Sequence, residues 1–164
     1  PERFLASITI PWEPGTLEAA AFRNGERAVQ DRLETAGRPE RIALLPEQQR
    51  IAADGMDLAF VKIELRDAAG RPVTGDDREV SVTVTGPGVL AGLGSGNPCT
   101  PENYGTGRRT TWKGRALAVI RAGKEPGEIR LAVTAEGLPE AEAAVEAAPA
   151  TDAAMAVKTE NCGR

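Results

Sequence analysis

The sequence has no histidine among its 164 residues. That removes the commonest general base, the commonest transition-metal ligand and every Ser-His or Cys-His device. It has two cysteines, Cys99 and Cys162. They are too few for a disulfide framework and resemble no zinc spacing. One bridge between the Cys99 region and the C-terminal tail, or two free thiols, are the readings left open. Aromatic residues make up 4%, so any core must be built from Val, Ile, Leu and Ala. No apolar run approaches the roughly 18 residues needed to span a bilayer. No basic stripe with interleaved aromatics occurs, and the net charge of −4 is mixed along the chain, which leaves nucleic-acid binding unsupported. The first residues, "PERFLASITIPWEPG", lack a charged segment followed by an apolar one. They begin on Pro rather than Met, as a piece of a longer chain would. The compartment stays open, with a periplasmic or extracellular location among the readings left.

What the chain does have is glycine and proline, 18 and 12, spread between short alternating runs. This favours an all-β domain over a helical bundle. "LAFVKIELRD" puts Ala59, Val61, Ile63 and Leu65 on one face, with Lys62, Glu64 and Arg66 opposite. "EVSVTVTG" does the same with Val80, Val82 and Val84. "VLAGLG", "RALAVIRAG" and "GEIRLAVTAEG" continue the period of two, which marks strands with one buried face. "AEAAVEAA" reads as helix by composition and as an edge strand by its alternation of Ala141, Ala143, Val145 and Ala147; the edge strand is the preferred reading.

Near the start, "FLASITI" and "TLEAAAF" read as strands. Asn24-Gly25 suits a type I′ hairpin turn, and "RAVQDRLETAG" is its returning strand, a helix there being the competing reading. "RIALLPEQQRIAADGMD" supplies the first strands of a new unit. The expected organisation is residues 1–38 as the end of a preceding β-module with a linker, 39–148 as an immunoglobulin-like β-sandwich, and 149–164 as a flexible tail. The antibody hallmarks, a Cys pair with an intervening Trp and a tyrosine corner, are missing.

Residues 93–113 carry little regular pattern. Loops beyond roughly 12–15 residues are usually functional or disordered, and this one holds Tyr104, Arg108, Arg109 and Trp112. Amphipathic rings and guanidinium donors suit interfaces and sugar faces. Three uses stay open: Trp112 covering the end of the sandwich, docking against another domain, and direct carbohydrate contact. Turn chemistry accounts for Asp54, Asp57, Asp76 and Asp77 without calcium. "GLGSGNP" lacks the Lys-Ser/Thr of a phosphate loop. No metal and no other cofactor is expected.

The stretches "IAADGMDLAFVKIELRDAAGRPVTGDDREVSVTVTGPGVLAGLGSGNP", "GRALAVIRAG" and "GEIRLAVTAEGL" resemble the C-terminal immunoglobulin-like domain of bacterial family 2 glycoside hydrolases, the β-galactosidase group. They share a general likeness with invasin-type bacterial immunoglobulin domains. "PWEPGTLEAAAFRNGERAVQDRLETAGRPERIAL" resembles the end of the β-domain that precedes it in those enzymes. The resemblance implies a non-catalytic accessory region whose partners are the other domains of a parent enzyme and its carbohydrate. A carbohydrate-binding module and a surface spacer or adhesin module are the alternatives. The family's catalytic glutamates belong to a barrel of about 250 residues, longer than this chain, and no position here matches them.

Overall fold

The computed structural model describes residues 7–150. Among them every regular element is a strand. The chain divides into two units, one ending at Thr35 and the other starting at Ala36.

The first unit is a hairpin of β1 (Thr16–Arg23) and β2 (Glu26–Glu34). Its turn is Asn24-Gly25, with φ of 53° and 85°; both positive values are what a type I′ turn needs to match the strand twist. Leu17 faces Leu33 and Ala21 faces Val29 across the ladder. The reading of "FLASITI" as a strand fails over residues 7–10, which form none. Pro11 and Pro14 have no amide hydrogen for a ladder, and Ile8 and Trp12 are exposed.

The second unit is a two-sheet sandwich. One sheet orders β4 (Arg50–Ala52), β11 (Leu138–Ala148), β10 (Gly127–Ala135), β6 (Glu79–Thr85) and β8 (Arg108–Thr110). The other orders β3 (Arg41–Pro46), β5 (Leu58–Arg66), β9 (Arg115–Ala122) and β7 (Gly88–Gly94). This is the immunoglobulin-like architecture expected from the alternation. Ala59, Val61, Ile63 and Leu65 of β5 are fully buried, as are Ile129 and Val133 of β10. Their neighbours one residue away in the chain point outward because the side-chain period is two.

β11 departs from expectation. It is a strand, but β4 pairs with it in parallel through Glu146–Arg50 to Ala148–Ala52, so its C-terminal half is not a sheet edge. Three residues suffice to satisfy the outward amides there, a pairing too short to announce itself in the sequence. The irregular stretch also shrinks: β7 runs to Gly94 and β8 starts at Arg108, which leaves residues 95–107 as the loop. The tail 151–164, Cys162 included, lies outside the described residues, so the question of a bridge to the exposed Cys99 lies outside them too.

The two outer faces of the sandwich differ. On the five-stranded sheet the outward positions include Glu128, Arg130, Ala132 and Thr134 of β10, Glu140, Glu142, Ala144 and Glu146 of β11, and Ser81 and Thr83 of β6. Glu128 opposes Glu146 directly, and each is relieved by an arginine, Arg130 at 2.6 Å and Arg50 at 3.6 Å. On the four-stranded sheet the outward positions include Leu45, Phe60, Leu117, Val119 and Val89, none of them fully buried.

Candidate functional site

A cleft of about 810 Å³ opens on the outer face of the four-stranded sheet. Its floor comes from Gly92 and Gly94 of β7 and from Leu117 and Val119 of β9, which pair as Gly92–Val119 and Gly94–Leu117. Glycine on an outward position leaves a trough where a side chain would stand. Lys62 and Glu64 of β5 continue the floor, paired to Leu117 and Arg115. Tyr104 and Trp112 stand at the loop end, with Ser95, Gly96 and Lys113.

Trp112 is fixed by a tight turn. Its amide donates to the Arg115 carbonyl at 2.9 Å, and the Arg115 amide returns the bond at 3.2 Å. Lys113 and Gly114 between them have φ of 53° and 69°, again the two positive values of a type I′ turn. The Gly114 amide donates to Asp77 Oδ1 at 2.9 Å, and the Leu65 amide donates to the Gly114 carbonyl at 2.9 Å, which ties the turn to β5. The Trp112 ring lies so close to Gly96 that a Cβ there would meet its Cε3 at 2.8 Å. The Lys113 ammonium sits 4.8 Å from the ring centroid, within cation–π range.

Tyr104 is fixed from below by Arg109. The Arg109 side chain is 0% exposed. Its guanidinium lies 4.6 Å from the Tyr104 ring centroid. Its Nη1 donates to the Glu102 carbonyl at 2.9 Å and its Nε to Ser95 Oγ at 3.3 Å, with Glu102 Oε2 3.5 Å from the same Nε. Glu102 Oε1 accepts from the amide and hydroxyl of Thr110, at 3.0 and 2.7 Å, and Oε2 from the Thr100 hydroxyl at 3.0 Å. The Leu93 amide donates to the Tyr104 carbonyl at 2.8 Å. The loop over residues 95–107 is thus wound around a buried cation. The Thr110 hydroxyl bond, followed by the Thr110 amide, the Thr100 hydroxyl and the Arg109 charge, holds the Glu102 carboxyl below its ordinary value despite the opposing effect of burial.

Of the four residues singled out from the sequence, two line the cleft together: Tyr104, 59% exposed, and Trp112, 38% exposed. Arg109 is enclosed and reaches no surface, so the expectation that it touches a sugar or a neighbouring domain is corrected to one of holding the loop. Alternation explains it: β8 pairs with β6 as Val80–Arg109, and Val80 faces the core. Arg108 is exposed on β8 and does not line the cleft. The sequence reading missed Lys62, Glu64 and Arg115, which alternation marked only as an outward face, and Gly92 and Gly94, whose missing side chains form the trough.

Three aspartates elsewhere serve the backbone. Asp54 accepts from the amides of Met56 and Asp57 at 2.7 and 2.8 Å, the Met56 bond first among the causes that lower its carboxyl. Asp57 accepts from Ala52 at 2.7 Å. Asp67 accepts from Gly37 and Arg71 at 2.9 and 2.8 Å, the Gly37 bond leading the effects that lower it. Asp76 faces Arg78 at 3.2 Å. No group of three His, Cys, Asp or Glu side chains among the described residues is placed to hold a metal.

A family model described as glycoside hydrolase family 2 C-terminal domain 5 matches residues 42–144. The β-galactosidase BoGH2A of Bacteroides ovatus is 36% identical over 132 residues, which are 80% of this chain and 16% of that protein. A β-glucuronidase of Formosa agariphila is 28% identical over 142 residues, 79% of this chain and 14% of the relative. A solved glycosyl hydrolase family 2 member from Bacteroides cellulosilyticus superposes with a TM-score of 0.80 at 31% identity, over 85% of this chain and 18% of that one. The chain therefore spans 16% and 14% of the lengths of these curated relatives.

Proposed function

For a chain that belongs to the glycoside hydrolase family 2 C-terminal domain 5 family, we propose the role of a non-catalytic accessory domain in a β-galactosidase-like enzyme. It packs the outer face of its four-stranded sheet against other domains of the parent chain. The observation that carries this reading is the inequality of the two outer faces. One carries Glu, Arg, Thr and Ser with the small Ala132 and Ala144. On the other, the large apolar Leu45, Phe60, Leu117, Val119 and Val89 stand among Lys62, Glu64, Arg66, Arg115 and Arg121, so large apolar side chains face outward on one sheet and not on the other. A sandwich meant to stand alone in water would gain from polar groups on both.

The acids support the non-catalytic half. A glycosidase acid must hold its proton near neutral pH, through burial that raises its pKa. Asp54, Asp67 and Glu102 are shifted the other way by hydrogen bonds, so none of these three is such an acid. Glu64, the one carboxylate lining the cleft, already faces Arg66 at 2.9 Å and Arg115 at 3.2 Å.

The test is an assay of the chain on chromogenic β-galactosides and β-glucuronides. The expected rate is that of the blank. Turnover above the blank that disappears in Glu64→Gln would overturn the reading.

A further inference from the structure

We infer that the loop end of the cleft binds an acidic saccharide, a pyranose bearing a carboxylate. This rests on the accessory-domain reading in one respect: the apolar far end of the same sheet face is taken by the parent chain, and the loop end stays open. Leu117 and Val119 form the cleft floor, and Val119 pairs with Phe60, so the docking face borders the cleft. The parent chain's contact is assigned to Leu45, Phe60 and Val89, and the part of the cleft beside Tyr104 and Trp112 stays open.

Shape favours a small ligand. The cleft's volume falls in the range of about 300–1,000 Å³ usual for small-molecule sites, whereas a protein–protein patch is broad and shallow. Its walls are two aromatic side chains and its floor is glycine backbone and aliphatic carbon. The apolar C–H face of a sugar ring can lie on such carbon while its hydroxyls reach polar groups at the margin. The walls are held before any ligand arrives, Tyr104 by the Arg109 guanidinium and Trp112 by the turn at Lys113-Gly114. Preorganisation lowers the ordering cost of binding.

Charge selects the kind of sugar. The protein is acidic overall, at −4, yet the charged residues lining the cleft are Lys62, Lys113 and Arg115 against Glu64 alone. Lys62 is matched by Glu47 at 2.9 Å, but Glu64 serves two guanidiniums. The Lys113 ammonium rests on the Trp112 ring. Lys113 and Arg115 both line the cleft, two residues apart in the turn that holds Trp112, and their charges favour a ligand that carries a carboxylate.

The test follows Trp112 fluorescence in the whole chain carrying Trp12→Phe, which removes the other indole. The probes are tri-galacturonate, neutral galactotriose and a short poly-glutamate peptide, each at low and high salt. The expected result is saturable quenching by tri-galacturonate, at least about fivefold tighter than by galactotriose (about 1 kcal/mol) and weakened by salt. Lys113→Asn, which keeps a residue tolerant of positive φ and removes the charge, should erase most of that preference with unchanged circular dichroism. Equal affinity for both saccharides, no saturation with either, or quenching by poly-glutamate as strong as by tri-galacturonate would overturn the inference. None of these outcomes bears on the accessory role, which fails instead on turnover of chromogenic glycosides.

Discussion

Arg109 carries its guanidinium beneath the ring of Tyr104, 4.6 Å from the centroid, with no exposed surface of its own. A charge so placed needs partners, because burying it alone costs several kcal/mol. Glu102 supplies them twice, through its carbonyl and its carboxylate. The Nη2 atom is buried without a hydrogen-bond partner, and the Tyr104 ring offers compensation through its π face. The loop's conformation and the arginine's burial are therefore one event.

Arg109→Met should destabilise the sandwich by about 2–3 kcal/mol. It keeps the stem volume but leaves Glu102 without its cation, and the partial exposure of Glu102, 28%, discounts the figure. Urea unfolding measures it. The variant should also lose ordered Tyr104 signals in NMR spectra, whereas a change below about 0.5 kcal/mol would mean the loop holds its shape unaided.

Gly114→Ala should be among the most damaging single changes. Its φ is +69°, and a Cβ would stand 1.8 Å from the Val73 carbonyl oxygen, which lies between backbones that cannot part without opening β5. A loss of at least about 2 kcal/mol is expected. Lys113→Asn, one residue earlier at φ 53°, should change thermal stability little. Comparable losses in the two variants would contradict this account of the turn.

Acid should unfold the protein through Glu102 and Asp67. Both carboxyls are held below their ordinary values of 4.5 and 3.8, Glu102 chiefly by the Thr110 hydroxyl and Asp67 chiefly by the Gly37 amide. Their folded pKa values lie below the unfolded ones, so their contribution is full above the unfolded values and is lost as pH falls through the folded ones. The stability–pH profile should bend downward below about pH 4.5. Glu102→Gln and Asp67→Asn should start lower and bend less. Variants as steep as the parent would exclude these two groups as the cause.

The two outer faces and the interior should answer differently to substitution. Leu131→Ala, fully in the core, should cost about 2–5 kcal/mol. Val89→Thr and Leu45→Lys on the outer face of the four-stranded sheet should stay within about 0.5 kcal/mol in this chain. In the full parent enzyme the same two surface changes should lower the thermal midpoint, since they would spoil a covered face. No effect in the parent would remove the docking role.

The local pattern alone determined the strands β5, β6, β9 and β10 and the hairpin turn at Asn24-Gly25, because a period of two and a positive-φ pair are properties of neighbouring residues. The same alternation picked out Ala59, Val61, Ile63 and Leu65 as core. It could not show that three residues of β4 would lie in parallel beside β11, nor that Arg109 would turn inward. Both depend on segments far apart in the chain meeting at one place. The cleft is of this kind as well: Tyr104 and Trp112 were visible as unusual residues, but glycines from β7, charges from β5 and the turn before β9 reach them only through pairing across the sheet. Periodicity fixes which way a side chain points; only the register between strands fixes what it meets there.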